Sequence, residues 1–209
     1  MRAKKEIVGG AVLVVVLAAS SVLLSLAGVK IDLARERALE AAWLKRIEGV
    51  INAEFDNDPI GTRQTESNEV LFGTSIEAQY WTLLRGSDVV AYAIQVPVPE
   101  AYNGVMSVIV GMGADGRVTG VDIPEHSETP SYGGRLIAGT RFLASFIDRD
   151  GREDGALWRV AAGEGAVDGV TGATITKTAV TNGVFRALRF YEVVTAASAS
   201  ESKSRRGVE

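Results

Sequence analysis

Near its N-terminus the chain carries a long run of residues without a single charge. The run extends from Ile7 to Val29 and is dominated by valine, leucine and alanine. A helix rises about 1.5 Å per residue, so a helix of this length crosses the roughly 30 Å hydrocarbon core of a bilayer. We therefore expect residues 1–29 to form a short N-terminus followed by one transmembrane helix.

The charges around this run predict its orientation. Arg2, Lys4 and Lys5 precede it, and positive residues favour the cytoplasmic side of a membrane. We expect a single-pass protein of the cytoplasmic (inner) membrane, with everything after Lys30 on the periplasmic side. A cleaved signal peptide is the alternative, with Ala18–Ser20 as a weak cleavage site. Its apolar stretch is usually only about 7–15 residues long, which favours an uncleaved anchor.

The residue types that are scarce or absent exclude several kinds of function. The chain has no cysteine and one histidine, His126. It therefore has no disulfide, thiolate metal site or cysteine-ligated iron–sulfur cluster, and a histidine-based metal site or a Ser-His-Asp triad is not expected. The acidic loop Asp148–Gly155 lacks the residue order of an EF-hand, so no metal site is predicted. A net charge of −4 argues against nucleic acid as a partner.

The rest of the sequence predicts an α+β fold with an antiparallel sheet and packed helices. Val- and Ile-rich segments predict strands, and an Asp-Gly pair predicts the hairpin turn between the second and the third. Apolar spacing predicts helices, including a face with Val180, Val184, Leu188 and Tyr191. The predicted strands are Asp88–Val96, Gly104–Met112 and Val118–Ile123, with "ALWRVA" as a fourth candidate, and the predicted helices are Lys30–Phe55, Leu136–Ile147 and the segment after Thr174.

These elements suggest four parts of the chain. The first is residues 1–29, the N-terminus and anchor. Residues 30–87 are expected to form a helical stalk and a connection. Residues 88–194 are expected to form one folded domain, and the polar residues 195–209 a disordered tail.

The segment "AVDGVTGATITKTAV" is the most informative motif. Gly169 and Gly172 allow a sharp turn or a close approach of the backbone to a ligand. The helix that follows presents unpaired N–H groups and a positive dipole end, which suit a phosphate. The segment is not a P-loop, since G-x-x-x-x-G-K-[ST] is absent and Lys177 is misplaced for it. The simpler alternative is that Thr174 or Thr176 is a helix N-cap.

The order of residues from Asp168 to Thr174 resembles a known motif. It matches D-G-x-[ST]-G-A-[ST] of proteins that carry FMN covalently, in which the last hydroxyl is esterified to the flavin phosphate. The resemblance implies that Thr174 carries FMN. It also implies that Asp168, Thr171, Gly172 and Ala173 contribute to the binding site, although Asp168 serves equally well as a plain turn residue.

The resemblance extends in order from about Val89 to Leu188. Tyr102 and Gly104 in "AYNG" are similar to the Y-x-G that opens a strand in this family, which makes Tyr102 a candidate binding residue. The string "VGMGADGRVTGVDIPEHSETP" is similar to the strand–turn–strand before an E-T-P-G-L-G loop. With one N-terminal span, these features resemble the G-subunit family of Rnf ion-translocating electron transport complexes, which is related to the C subunit of the Na⁺-translocating NADH:quinone reductase.

The E-T loop of the family lies against the flavin, so the resemblance implies that Glu128 and Thr129 bind it. Turn formation before Pro130 is their alternative role. The sequence departs from the family here, because Ser131 replaces a glycine and Tyr132 replaces a leucine. If that glycine needs a positive φ, Ser131 is strained. Tyr132 is a candidate for stacking on the flavin ring.

The resemblance implies an FMN-carrying protein that passes electrons within an Rnf-type complex, which couples ferredoxin–NAD electron transfer to ion translocation. The chain alone catalyses no complete reaction, and no catalytic residue is predicted. Its expected partners are other membrane subunits and a flavin transferase that moves FMN from FAD onto the threonine. Alternatives are the related quinone-reductase protein, a stand-alone periplasmic FMN carrier and, from another class, an anchored non-redox binding or assembly protein.

Overall fold

The computed structural model describes the backbone of residues 2–68, 77–150 and 173–206. It describes the side chains of only some residues within 2–29, and not those of Thr140 or of residues 197–206. The chain divides into two units, residues 1–43 and residues 44–209. The first unit is part of one helix, α1, which runs from Arg2 to Val50. Among the described residues, no helix meets the length and apolarity needed to cross a bilayer.

The second unit is built on a five-stranded antiparallel sheet in which each strand pairs with the next along the chain. Its strands are β1 Gln64–Glu66, β2 Ala78–Arg85, β3 Asp88–Val98, β4 Met106–Gly113 and β5 Val118–Glu125. The register places Trp81 opposite Ala93 and Val96 opposite Val108. The three strands predicted from Val and Ile content are confirmed, as is the hairpin at the Asp-Gly pair.

Two strands lie where the sequence predicted a stalk and a connection. β1 and β2 fall inside residues 30–87. In β2, "AQYWTLLR", buried positions are occupied by Ala78, Trp81 and Leu83, and polar residues stand between them. The segment therefore lacks the Val and Ile content that marked the other strands.

A layer of helices covers one face of the sheet. It consists of α2 Gly133–Ala138, α3 Thr140–Ala144 and α4 Thr174–Arg206. α4 packs on β3 and β4. Of the predicted helix face, Val180, Val184 and Leu188 are fully buried there, and Tyr191 is partly buried. Each such side chain contributes about 1.5–3 kcal/mol to stability when it leaves water, so this contact fixes the start of α4 relative to the sheet.

The last turns of α1 cover the opposite face. Ile47 and Val50 are buried there. A Cβ added at Gly120 would stand 2.7 Å from the Val50 Cα, so the sheet has no side chain where the helix ends. The Thr119 hydroxyl donates a hydrogen bond of 2.6 Å to the Val50 carbonyl.

The helices differ from the sequence-based expectation at two places. The segment Leu136–Ile147 forms two short helices, because Gly139 between them has an extended backbone (φ −80°, ψ 113°). α4 continues past Thr195 to Arg206, where a disordered tail was expected. No Pro or Gly interrupts that stretch, and its Ala, Glu, Lys and Arg residues favour helix. The candidate strand "ALWRVA" lies outside the described residues.

Candidate functional site

A cavity of about 480 Å³ opens where three segments of the second unit meet. The segments are the β3–β4 loop, the loop after β5 with the start of α2, and the first turn of α4. The cavity is lined by Tyr102, Glu128, Thr129, Tyr132, Gly133, Ala173, Thr174, Ile175 and Thr176. Its volume falls in the range of about 300–1,000 Å³ that is typical of small-molecule sites.

The carboxylate of Glu128 joins all three segments. The side chain is only 6% exposed. Its Oε1 accepts a hydrogen bond of 2.9 Å from the Tyr102 N–H, and its Oε2 accepts one of 2.6 Å from the Thr176 hydroxyl. Hydrogen bonds to an ionised carboxylate are among the stronger ones in proteins. Glu128 therefore links the three segments around the cavity, and both of its carboxylate oxygens already accept hydrogen bonds from the protein.

Gly133 makes this arrangement possible. A Cβ at this position would stand 2.5 Å from the Thr176 hydroxyl oxygen and 3.0 Å from the Glu128 Cβ. Real Cβ atoms do not approach other atoms so closely, so any other residue must push the Glu128–Thr176 pair apart. The close approach explains why a glycine stands at the wall of the cavity.

The loop that contains Thr129 is held by its own backbone. The Thr129 carbonyl accepts hydrogen bonds from the N–H groups of Tyr132 at 3.1 Å and Gly134 at 3.0 Å. Among the described residues other than glycine, Asp148 is the one with a positive φ. Ser131 is therefore free of the strain that its replacement of a glycine suggested.

Thr174 lies at the start of α4 with its side chain exposed. The Ala173 carbonyl accepts the Lys177 N–H at 2.9 Å, so Ala173 occupies the N-cap position and Thr174 is the first helical residue. Neither Thr174 nor Thr176 is the N-cap that the simpler sequence interpretation offered. The Thr174 hydroxyl stands beside the unpaired N–H groups and the positive dipole end of the helix.

Aromatic surface is open to solvent at the cavity. Tyr102 is 63% exposed and Tyr132 is 61% exposed. Large exposed aromatic side chains at a cavity offer flat apolar surfaces on which a planar ligand stacks. Tyr132, the stacking candidate from the sequence, is one of the residues that line the cavity.

The structure brings together five of the residues that the sequence predicted for the site. They are Tyr102, Glu128, Thr129, Ala173 and Thr174. Asp168, Thr171 and Gly172 lie outside the described residues. His126 is exposed and does not line the cavity.

Thr176 lines the cavity as the buried partner of Glu128, a contact that the sequence did not reveal. These residues are 48 positions apart, and no local pattern links them. Gly133 was visible only as part of a Gly-rich loop, a signal that points to a turn as readily as to a close approach.

A second cavity, of about 420 Å³, lies between the β4–β5 turn and α4 near Tyr191. None of the predicted site residues that the structure describes lines it. Two of its carboxylates, Asp115 and Asp150, are approached by the Arg117 guanidinium at 4.0 Å and 3.8 Å. We therefore assign the functional site to the cavity at Thr174.

Comparison with known proteins identifies the domain that contains this cavity. Residues 101–189 match the FMN-binding domain family, and this range contains every residue that lines the cavity at Thr174. The G subunit of the ion-translocating oxidoreductase complex from Vibrio cholerae is 30% identical over 152 residues, which cover 70% of this chain and 71% of that protein. The chain belongs to this G-subunit family.

Other relatives carry the same name. The Pseudomonas aeruginosa protein is 29% identical over 162 residues, which cover 75% of this chain and 74% of that protein. The Aliivibrio fischeri protein is 40% identical over 103 residues, which cover 48% of this chain and 49% of that protein. The resemblance to the Rnf G-subunit family that the motifs indicated is confirmed.

Proposed function

We propose that this chain is an FMN-carrying electron-transfer subunit of an ion-translocating oxidoreductase complex, with FMN esterified to Thr174. The observation that carries the proposal is the exposed Thr174 hydroxyl at the start of α4, beside a cavity of about 480 Å³. Family membership and the FMN-binding domain match support it. The covalent linkage rests on the motif and on the position of this hydroxyl.

The residues around the cavity fit such a group. The start of α4 offers unpaired N–H groups to a phosphate. Tyr102 and Tyr132 offer flat surfaces to a ring system. Glu128 holds the three segments together, and Thr129 presents its hydroxyl at the wall. FMN, when bound, supplies the redox chemistry, and the protein supplies its position and surroundings.

The absence of a catalytic base among the described residues near Thr174 is consistent with attachment by another enzyme. Glu128 is the one carboxylate among the described residues that line the cavity, and its oxygens already accept hydrogen bonds. We propose that a separate flavin transferase attaches the FMN, for which the exposed Thr174 side chain is a suitable acceptor.

The location in the membrane is proposed from the sequence and the family. The relatives are named as subunits of an ion-translocating complex, and translocation of ions requires a membrane. The uncharged run Ile7–Val29 lies within α1. We propose that it anchors the chain, with the flavin domain on the periplasmic side, as the positive residues before it favour.

The first experiment is co-expression of the full chain with a flavin transferase, followed by a denaturing gel. Flavin fluorescence in the wild-type band and its loss in Thr174→Val are the expected results. Thr178→Val is the matched control, because Thr178 is an exposed threonine one turn further along α4. It keeps its fluorescence if Thr174 is the acceptor.

Other results point elsewhere. Fluorescence in both wild type and Thr174→Val means that another hydroxyl is the acceptor, with Thr171 and Thr176 next to be tested. A dark wild-type band, with the transferase active on a control substrate, favours the non-redox assembly protein. Proteins that copurify from native membranes in mild detergent distinguish an Rnf-type complex from a quinone reductase or a stand-alone carrier.

A further inference from the structure

Lys177 is a buried lysine to which the site described above assigns no role. It lies in the first turn of α4 and is only 7% exposed. Among the described residues, no carboxylate lies within 4.0 Å of its ammonium group. Glu128, the buried carboxylate of the cavity, is engaged by Tyr102 and Thr176 instead. A buried charge without a partner is costly, so this lysine requires an explanation.

The position of Lys177 in the helix makes its buried positive charge still less favourable. The N-terminus of a helix carries the positive end of the dipole, where a cation is unfavourable. The first turn of α4 contains no acidic residue that would compensate. A negative charge at the first turn of α4 therefore suits both the helix end and the lysine in that turn.

The geometry of a helix directs the lysine toward that place. Side chains lean toward the helix N-terminus and lie over the residues three and four positions earlier. For Lys177 these residues are Thr174 and Ala173, which line the cavity, whereas Lys177 itself is not among the described residues that line it. Residues three apart are also neighbours on a helix surface.

We propose that Lys177 is the cationic partner of an anionic phosphate diester held on Thr174. This inference rests on the proposed function. It names Lys177 as the positive charge that balances the phosphate of the cofactor. A phosphodiester carries one negative charge, which the lysine and the N–H groups of the first turn neutralise together. Without flavin, Lys177 has no carboxylate partner among the described residues, and attachment of flavin supplies an anion. Flavin attachment should therefore stabilise the protein through Lys177.

The test compares four samples of the full chain in one detergent. Wild type and Lys177→Met are each prepared with and without active flavin transferase, and thermal unfolding is followed by circular dichroism. Methionine keeps a long unbranched stem and removes the charge. We expect the rise in Tm on flavin attachment to be larger in wild type than in Lys177→Met, by about 3 °C or more for a chain of this size. Lys177→Arg retains the charge and should retain most of the rise.

The flavin-free samples provide a second readout. Flavin-free Lys177→Met should be at least as stable as the flavin-free wild type, because the substitution removes an unpaired buried charge. A folded Lys177→Met that takes up no flavin, while Lys177→Arg does, also supports the proposal.

Two results overturn the role of Lys177 alone. One is an equal rise in Tm in both proteins on flavin attachment. The other is a flavin-free Lys177→Met that is less stable than the wild type, since a protein carboxylate would then already pair with the lysine. A wild-type chain that takes up no flavin overturns the proposed function and this inference together, and the gel shows this before any unfolding is measured.

Discussion

At the scale of single residues, the site depends on a glycine whose neighbours leave no room for a methyl group. The position of a Cβ at Gly133 is occupied by the Glu128–Thr176 hydrogen-bonded pair. We predict that Gly133→Ala destabilises the protein by about 1–3 kcal/mol, the usual range for overpacking. It should also reduce flavin uptake, because Glu128 no longer braces the three segments. Urea unfolding and in-gel flavin fluorescence measure the two effects.

Gly134→Ala is the matched control for this prediction. A Cβ at Gly134 would stand 3.3 Å from the Thr129 carbonyl oxygen, a contact that a small shift relieves. We expect a smaller loss of stability and normal flavin uptake. If Gly133→Ala is as stable as Gly134→Ala, the close packing of Gly133 against Thr176 is not a feature of the protein in solution.

Short sequence motifs pointed to residues that line the cavity, but not to the contacts between them. Thr174 and Ala173 belong to one short motif, and Glu128 belongs to another. Both motifs are local and can be read without the fold. The bond between Glu128 and Thr176 appears only once β5 and α4 are in place, because it joins residues 48 positions apart.

At the scale of elements, an ion pair fastens the β3–β4 loop to α4. The Glu100 carboxylate lies 2.7 Å from the Arg186 guanidinium and accepts a hydrogen bond of 3.2 Å from the Asn182 amide. Burial by itself raises the pKa of Glu100. The hydrogen bond and positive charge of Arg186, with the Asn182 amide, outweigh burial, and the pKa is lowered from its usual 4.5. The ionised form is thus favoured in the folded protein.

This lowered pKa predicts a pH-dependent contribution to stability. A group whose pKa is lower in the folded state stabilises the protein above its unfolded pKa, and the contribution disappears as pH falls below 4.5 through the folded value. We predict that Glu100→Gln lowers the free energy of unfolding by about 0.5–1 kcal/mol at neutral pH. The difference from wild type should shrink in acid, as measured by urea unfolding across pH.

The exposed pair Arg189–Glu192 on the same helix is the control for Glu100. Its side chains are 47% and 45% exposed, and the nitrogen–oxygen distance is 2.9 Å. Solvent screens such a pair strongly, so Glu192→Gln should change stability little at any pH. Equal effects of the two substitutions would mean that Glu100 does not hold the loop to α4.

The elements themselves were predictable where local signals were strong. Val and Ile content identified β3, β4 and β5, and the Asp-Gly pair identified the turn between the last two. β2 was not predicted because its local sequence signal is weak, and packing across the sheet, with Trp81 opposite Ala93, compensates for this weakness. The contact between the end of α1 and two glycines of the sheet was also not predicted. Gly111 and Gly120 face each other across β4 and β5, which only the strand register reveals.

At the scale of the whole molecule, the boundary of the folded unit falls inside α1. The compact unit begins at residue 44, although the helix begins at Arg2. Ile47 and Val50 are buried on the sheet, and Arg46 pairs with Asp122 at 2.6 Å. The last turns of α1 are therefore part of the core of the second unit, and the sequence-based boundary at residue 88 divides this unit.

This boundary predicts how shortened chains behave. A chain that begins at residue 44 should fold, take up flavin and stay in the soluble fraction, whereas the full chain should sediment with membranes through the segment Ile7–Val29. A chain that begins at residue 53 lacks Ile47 and Val50, and each buried side chain contributes about 1.5–3 kcal/mol. It should therefore be several kcal/mol less stable, or unfolded.

Thermal unfolding and membrane fractionation test the two chains side by side. The pair is matched because the additional residues of the longer chain fall at the end of α1 and include the buried Ile47 and Val50. Equal stability of the two chains would show that the end of α1 adds nothing to the fold. Recovery of the full chain in the soluble fraction would remove the anchor from the proposal and leave the flavin site unaffected, because every residue that lines it follows residue 100.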